Sequence, residues 1–253
     1  MMGRTHALSG WCIGLATAPV VGLTSIGDAL LYATVTTGAA LLPDFDHPNA
    51  RATKFLGRIT GAVSKRLRGL SRFAYNHTAS VHDSNRRDAH RTLTHTIAFA
   101  IVLGLIVGGC ASAFDWPVTL GIVVFLIALG SDALGRWMLL VAAAGAIGWA
   151  IGDEGLSGVS WRLGVAVTIG CVTHILGDWV TEAPVPMLWP IPINGRRWYP
   201  THAPEYLRFP VDGWIEHKIV WRLFKVLAVA LIPGVLPLVI GAVGALSQVG
   251  SSS

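Results

Sequence analysis

Long apolar runs alternate with shorter polar stretches along the chain, and this pattern predicts helices that cross a membrane. A helix needs ~20 apolar residues to span a hydrocarbon layer of ~30 Å. We count seven predicted spans, at residues 7–26, 29–42, 96–114, 117–131, 137–151, 161–177 and 219–246. The expected fold class is all-α: a polytopic membrane helix bundle of about seven spans that forms one membrane-embedded helical domain over residues 1–253.

Three of these predicted spans, the first and the two within 117–151, allow a second interpretation. The first apolar run follows Arg4 and has the character of a signal peptide, but its length and the apolar run after it favour a retained helix. The stretch 117–151 is interrupted by polar residues between Asp132 and Arg136. One long tilted helix would place these charges in lipid, which is expensive, so we expect a helical hairpin.

The composition agrees with a membrane protein and excludes several other classes. Only 13% of the residues are charged and 53% are hydrophobic, whereas a soluble domain carries roughly 25% charged residues. Cys12, Cys110 and Cys171 lie in apolar runs and form no C-x-x-C pair. We interpret them as small buried hydrophobic residues, not as disulfides or thiolate metal ligands.

The distribution of basic residues predicts the orientation in the membrane. With seven spans, all of the 19 Lys and Arg residues except Arg162 fall on or beside the side that holds the N-terminus. Cytoplasmic loops carry the excess of Lys and Arg, so the N-terminus is expected in the cytoplasm. A segment rich in Pro and Trp, residues 183–218, is expected on the same side.

The segment 51–72 predicts an amphipathic helix that lies on the membrane surface. Its apolar residues recur at helical spacing, and Lys and Arg fill the other face. The apolar positions are Phe55, Ile59, Val63, Leu67 and Leu70. An apolar stripe beside basic residues favours the anionic phospholipids of the inner leaflet as partners, because a nucleic-acid patch would not need the stripe. We therefore expect no nucleic acid, and a flexible polar loop at 73–89.

The stretch 42–48 carries two carboxylates and one imidazole between prolines, at the boundary between an apolar and a basic run. Pro43 and Pro48 hold the backbone out of a helix, and Asp44, Asp46 and His47 lie between them. Carboxylate and imidazole groups in such a place suit a divalent metal. The alternative is a helix-ending turn with ordinary polar caps.

Two further motifs carry metal-type residues at the ends of predicted spans. His90 and His95 are five residues apart, about 140° of rotation on a regular helix, so we expect His90 in a loop and His95 in the first helical turn. His174 and Asp178 are four apart and share a helix face. The alternatives are a polar cap for the first pair and a hydrogen bond that holds the helix end for the second.

The predicted topology places all these groups at the cytoplasmic ends of their helices. Convergence of imidazoles and carboxylates from several helices is how metal sites are built in bundles. The predicted metal ligands are His6, Asp44, Asp46, His90, His95, His174 and Asp178. Nitrogen and oxygen ligands without thiolate suit Zn²⁺, with Mn²⁺ or Fe possible, and seven of them would support one or two ions.

The chain resembles the YdjM-type family of inner-membrane metal-dependent hydrolases. The matching motifs occur in the family's order, at residues 3–6, 42–48, 90–96, 173–181 and 185–190. The resemblance implies a multi-pass protein of the bacterial inner membrane. More distantly, the order His, Asp, His, His-x-x-x-Asp is similar to the zinc-dependent phospholipase C and P1 nuclease fold, which implies phosphoester chemistry.

The expected function is hydrolysis of an ester or phosphoester, in a lipid or a lipid-linked phosphate, by a metal-activated water at the cytoplasmic face. Asp44, Asp46 and Arg91 are the predicted catalytic residues, and the motif leaves open which aspartate is ligand and which is base. Arg196 and Arg197 are predicted to bind the phosphate, although ordinary positive-inside charge explains them equally well. The alternative is a non-catalytic membrane scaffold with a structural metal site. A transporter is disfavoured because it would place ionisable groups near the midplane.

Overall fold

The structure, a computed structural model, describes residues 1–83, 90–151, 159–235 and 237. Regular structure in these ranges is helical, apart from three isolated β-bridges. The α-helices of the described residues are α1 (Gly3–Thr17), α2 (Ile26–Ala39), α3 (Arg51–Lys54), α4 (Arg58–Thr78), α5 (Ile97–Ala113), α6 (Asp115–Leu134), α7 (Trp137–Ile151), α8 (Val159–Trp179) and α9 (Trp221–Ala230). The all-α prediction is confirmed.

Helix α2 lies at the centre of the bundle and packs against α1, α6, α7 and α8. The helix begins at the side chain of Ser25, whose hydroxyl accepts a hydrogen bond from the amide of Asp28. Its buried threonines donate to the carbonyls of the preceding turn, as Thr36 does to Tyr32 at 2.8 Å. The buried threonine hydroxyls are therefore satisfied within the helix, as a helix in lipid requires.

Small residues allow the helices to approach closely around the end of α2. A Cβ atom on Gly170 of α8 would lie 2.6 Å from the Cβ of Ala39, and one on Gly10 of α1 would lie 2.7 Å from the Cβ of Ala40. Side chains do not tolerate such distances, so only glycine allows this packing. The close approach brings the last turns of α8 beside the turn that follows α2.

Three described helices are long and apolar enough to cross a membrane, at Ile26–Asp46, Trp116–Leu134 and Val159–Trp179. Ile97–Ala113 and Trp137–Ala150 are shorter apolar helices. The described residues thus hold three candidate membrane spans by length and composition, and the predicted number of about seven is not confirmed.

The first and last predicted spans differ most from expectation. The first, predicted over 7–26, is the 15-residue helix α1, which rises about 22 Å before the chain turns at Pro19–Val21 and Gly22. Gly22 has a φ of 78°, which favours glycine and breaks the helix. The last, predicted over 219–246, begins as α9, and its residues from 236 onward, apart from 237, lie outside the described part of the chain.

The predicted hairpin at 117–151 is confirmed as two helices, α6 and α7, joined at Gly135 with a φ of 107°. Asp132, whose charge argued against one long helix, forms an ion pair with Arg51 at 2.6 Å. The ion pair joins the end of α6 to the start of α3.

The predicted surface helix over 51–72 is two helices instead of one. Helix α3 ends at Lys54, and α4 starts at Arg58, after Gly57 with a φ of 56°. Helix α4 continues to Thr78, so part of the predicted loop 73–89 is helical, while residues 84–89 lie outside the described ranges. The physical reason is that Gly57 accepts the left-handed backbone, whereas nothing before Ala79 interrupts α4.

The two long faces of α4 carry different residues. Small polar side chains and one tyrosine face the protein, at Thr60, Ser64, Ser71 and Tyr75. Apolar side chains are exposed on the outer face, at Ile59, Val63, Leu70 and Phe73. An exposed apolar stripe next to Lys and Arg is the pattern of a helix that lies on a membrane surface.

Candidate metal centre

Four segments of the chain meet at the end of α2 that follows Ala39, and each brings an imidazole or a carboxylate. They are the start of α1, the turn Pro43–Asp46, the turn Leu93–His95 and the last turns of α8. We call the five groups that converge here the metal centre: His6, Asp44, His95, His174 and Asp178. Four of them are buried and the carboxylate of Asp44 is partly exposed; the buried ones are His6, His95, His174 and Asp178.

His95 and His174 form the middle of the metal centre. Their Nε2 atoms lie 3.3 Å apart. The Nδ1–H of His174 donates to the carbonyl of Ala40 at 2.8 Å, so the Nε2 of a neutral His174 carries a lone pair. The hydroxyl of Thr94 donates to Asp46 at 2.6 Å and lies 3.0 Å from Nδ1 of His95, so that ring donates its Nδ1–H to Thr94. Both Nε2 atoms therefore face the same point.

Carboxylate oxygens approach that point from two further sides. Oδ2 of Asp178 lies 3.3 Å from Nε2 of His95 and 3.7 Å from Nε2 of His174. Oδ1 of Asp44 lies 3.6 Å from Nε2 of His174. Four lone-pair donors at such distances repel one another unless a positive charge lies between them, either a proton or a metal ion.

The electrostatics of His95 agree with a positive charge at this point. Burial lowers the pKa of His95, but the carboxylates of Asp46 and Asp178 outweigh that effect and raise the pKa to about 9. Without a metal, the proton on this imidazole supplies the charge. A metal ion would replace the proton, as metals do when they bind imidazole.

The donor set fits a divalent metal. Ligands at about 2.0–2.1 Å from a tetrahedral Zn²⁺ lie about 3.3 Å from one another. This is close to the 3.3–3.7 Å that separate Nε2 of His174 from donor atoms of His95, Asp44 and Asp178. Asp44, His95 and His174 form one group that could hold an ion, and His6, His174 and Asp178 form a second. The two groups share His174, whose ring stacks on that of His6 at 3.7 Å.

Asp46 has a different environment from Asp44, although both stand in the same motif. The carboxylate of Asp46 is fully buried and accepts hydrogen bonds from Nδ1 of His90 at 2.8 Å, from the amide of Arg91 at 3.2 Å and from Thr94 at 2.6 Å. Asp46 is thus placed to orient the turn that carries His95, and Asp44 is the carboxylate of this motif that faces Nε2 of His174. The sequence left this choice open.

His90 lies beside the metal centre, not in it. Its ring makes edge contacts with His47 at 4.6 Å and with His95 at 5.3 Å. It precedes the helical turn, as predicted, and His95 lies in the short turn Leu93–His95 directly before α5. The roles of Asp46 and His90 as metal ligands remain predictions, with hydrogen bonds to each other in this structure.

Arg91 anchors Asp178. Its guanidinium lies 3.0 Å from Oδ1 of Asp178 and donates to the carbonyl of Ala183 at 2.8 Å. His6 at 3.2 Å and the amino group of Met1 at 2.6 Å approach the same oxygen. One oxygen of Asp178 therefore serves these cationic and N–H groups, while the other faces His95. Arg91 has a φ of 55°, a strained backbone that these contacts and its amide bond to Asp46 hold in place.

Three contributors to the metal centre were not predicted. Thr94 and Thr181 lie inside motifs that were singled out, and Thr181 receives a hydrogen bond from Arg91 at 3.2 Å. Their position next to a histidine and an aspartate was an available signal. The carbonyl of Ala40 has no side-chain signal at all, and only the packing of α8 against α2 places it opposite His174.

Arg196 and Arg197, predicted to bind phosphate, lie in an exposed loop anchored elsewhere. The described contacts of this loop go to Asp83, which accepts from the amides of Arg197 and Trp198, and to Tyr75, which packs on Trp198. Burial alone would raise the pKa of Asp83, but the hydrogen bonds from Ser80, Trp198 and Arg197 lower it. Substrate binding by the two arginines stays a prediction.

Comparison with curated proteins and with solved structures gives no match. Comparison with protein families gives one that covers nearly the whole chain. The family is described as YdjM inner membrane protein, and its model matches residues 1–245. The buried motifs around α1, α2, α5 and α8 all fall within the matched region, and the chain belongs to the YdjM inner membrane protein family.

Proposed function

We propose that this membrane protein is a metal-dependent hydrolase that acts on an ester or phosphoester in a lipid or lipid-linked phosphate, at the cytoplasmic face of the membrane. The observation that carries the proposal is that donor atoms of His95, Asp44 and Asp178 all lie within 3.7 Å of Nε2 of His174, with only one partly exposed member among the four. Asp44 is 21% exposed, whereas the other three side chains are at most 2% exposed. A catalytic metal site keeps such an open side, and a structural one is closed.

Asp44, His95, His174 and Asp178 are the residues that would hold the metal, and Zn²⁺ suits them best, with Mn²⁺ as the second choice. His6 completes a set that would support a second ion. When bound, the metal supplies a water whose pKa is low enough for attack on an ester at neutral pH.

The carboxylates have separate tasks in this proposal. Asp46 already accepts three hydrogen bonds and is sealed from solvent, so it has little capacity to accept a proton from water. Asp44 reaches solvent, and its second oxygen is the proton acceptor next to the opening. Arg91 holds Asp178 in position through the ion pair at 3.0 Å.

The surface helix α4 supports a lipid as substrate. It packs against both short turns that carry site residues, Pro43–Asp46 and Leu93–His95. Its outer face exposes Ile59, Val63 and Leu70 beside basic residues. On an anionic inner leaflet, this helix would hold the metal centre at the level of the lipid headgroups, and Arg196 and Arg197 would attract anionic ones.

A non-catalytic scaffold with a structural metal site is the second candidate, favoured by the complete burial of His6, His95 and His174. Both candidates bind metal, so metal content alone does not distinguish them. The difference lies in turnover and in the exposed carboxylate of Asp44.

The test uses the full chain in nanodiscs of mixed membrane lipids, loaded with Zn²⁺ or Mn²⁺. We expect release of phosphate or diacylglycerol, loss of release with EDTA, and loss of release in Asp44→Asn, whose metal content is measured alongside. His77→Ala, a change at an exposed histidine away from the metal centre, is the matched control and should behave as the parent. Stoichiometric metal without turnover of any ester in the lipid mixture would leave the scaffold as the function.

A further inference from the structure

A second site lies at the other end of α2. A cavity of about 810 Å³ is enclosed by α2, α5, α6, α7 and α8. Asp28 lines it, and twelve residues of helical rise, about 18 Å, separate Asp28 from Ala40 at the metal centre. The cavity is therefore distinct from the metal centre, and its ligand is independent of the proposed function.

The wall of the cavity is mostly apolar and opens toward lipid. Leu120 and Val124 of α6 line it, and both are more than half exposed. Ala143 and Ala146 of α7 leave space on the opposite wall. A ligand can thus enter sideways from the bilayer, and the volume falls within the range of about 300–1,000 Å³ typical of small-molecule sites.

Two polar groups in this wall lack a hydrogen-bond partner among the described residues, Oδ1 of Asp28 and the hydroxyl of Tyr32. The side chain of Asp28 is buried, and its Oδ2 accepts a hydrogen bond from the hydroxyl of Ser25 at 2.6 Å. Its Oδ1 is sealed from solvent and has no hydrogen-bond partner among the described residues. Buried carboxylate oxygens are nearly always partnered, because desolvation without compensation is unfavourable.

The arginine in the wall is engaged. Arg162 also lines the cavity, but its Nε donates to the carbonyl of Val21 at 3.2 Å and its guanidinium lies over the ring of Trp161. The cavity therefore combines an apolar chain-sized space with an acceptor that is not satisfied by the arginine.

We propose that this cavity binds a single-chain amphiphile whose head donates a hydrogen bond to Oδ1 of Asp28. The alkyl chain lies against Leu120, Val124 and Ala146, and the head, a hydroxyl or an amine, lies at Asp28. A carboxylate head is disfavoured because it would bring a second acceptor to an unpaired one.

The experiment uses the full chain in phosphatidylcholine nanodiscs and three photoreactive amphiphiles of equal chain length, which differ only in an amine, alcohol or carboxylate head. Labelled peptides are mapped by mass spectrometry. We expect the amine or the alcohol to label α6 and α7 at the cavity, and the carboxylate to label it about tenfold less, as expected for one hydrogen bond to a charged group. Comparison of the amine and alcohol arms identifies the head.

Three variants decide the result. Ala146→Phe fills the cavity and should abolish labelling, whereas Ala144→Phe, on the same helix and outside the cavity, should not. Asp28→Asn keeps the cap from Ser25 and should reduce labelling by the amine about tenfold. Equal labelling of the two phenylalanine variants, with equal melting temperatures, would overturn the proposal, and so would a carboxylate probe that labels as strongly as the other two.

Discussion

The two ends of α2 place carboxylates in opposite situations. At the end after Ala39, Asp46 accepts three hydrogen bonds, and both oxygens of Asp178 have partners within 3.3 Å. At the other end, Asp28 has one partnered oxygen and one that faces an apolar cavity. The end of α2 after Ala39, which we call the crowded end, is suited to hold a small ion in one geometry. The end at Asp28, which we call the roomy end, is suited to a chain-like ligand.

The largest expected effect is the loss of bound metal at the crowded end. In His174→Ala/Asp178→Ala, two of the four donors around the central point are lost, so bound metal measured by elemental analysis should fall to background. His77→Ala should retain the metal content of the parent. Full metal content in the double variant would show that the ion binds elsewhere.

A second change separates Asp46 from Asp44. Because Asp46 orients the turn of His95 and contacts the Nδ1 atoms of His90 and His95, Asp46→Asn should weaken metal affinity about 10–100-fold and leave the stoichiometry intact, as for other groups that orient a ligand. Asp46→Ala should also lower the free energy of unfolding by about 3–5 kcal/mol, because it leaves buried partners unpaired. Isothermal titration with Zn²⁺ and denaturant unfolding measure the two effects. Unchanged affinity in Asp46→Asn would remove this role from Asp46.

A third pair of variants tests the packing that makes the crowded end possible. Gly170→Ala places a Cβ 2.6–2.8 Å from α2 and should lower the free energy of unfolding by about 1–3 kcal/mol. Gly109→Ala, on a helix surface where the new Cβ meets nothing within 4 Å, should raise it by about 0.5–1 kcal/mol. The opposite signs are the point of the comparison, and the same sign in both melting curves would contradict it.

The smallest effect lies outside both ends, at Asp83. Its pKa is lowered in the folded chain, so its stabilisation of the loop 193–198 is present above the ordinary pKa of an aspartate and is lost as the pH falls below it. Asp83→Asn should speed hydrogen exchange at the amides of Arg197 and Trp198 at neutral pH, without a change in metal content. The parent should show the same faster exchange only in acid, after correction for the intrinsic rate, and a parent that is indifferent to acid would argue against the role of Asp83.

Much of the crowded end could be predicted from the sequence, and little of the roomy end. His174 and Asp178 were placed correctly because a spacing of four fixes a shared helix face. The difference between Asp44 and Asp46 could not be predicted, since it depends on a short turn whose direction is set by its contacts. The cavity at Asp28 was missed because it is formed by space between helices, and a lone aspartate after Ser25 is indistinguishable from an ordinary helix cap.

The predicted number of about seven spans is not confirmed in the described residues, and for the first span the difference has a physical cause. The run 7–26 is apolar enough to suggest a crossing, but Pro19 and Gly22 end α1 after 15 residues. Hydropathy measures how strongly a segment prefers lipid. The length of a helix depends also on residues such as proline and glycine that end it. The break at Gly57 in the predicted surface helix has the same origin.

The bond from His174 to the carbonyl of Ala40 also fixes the register between two helices. If α8 slid by one turn along α2, Asp178 or Gly170 would stand where His174 stands now, and neither offers a side-chain N–H to that carbonyl. The shifted register would leave the carbonyl of Ala40 without a hydrogen-bond donor, in a region where no water replaces it. This hydrogen bond therefore opposes sliding of α8 along α2, and any ligand that binds His174 would strengthen that opposition.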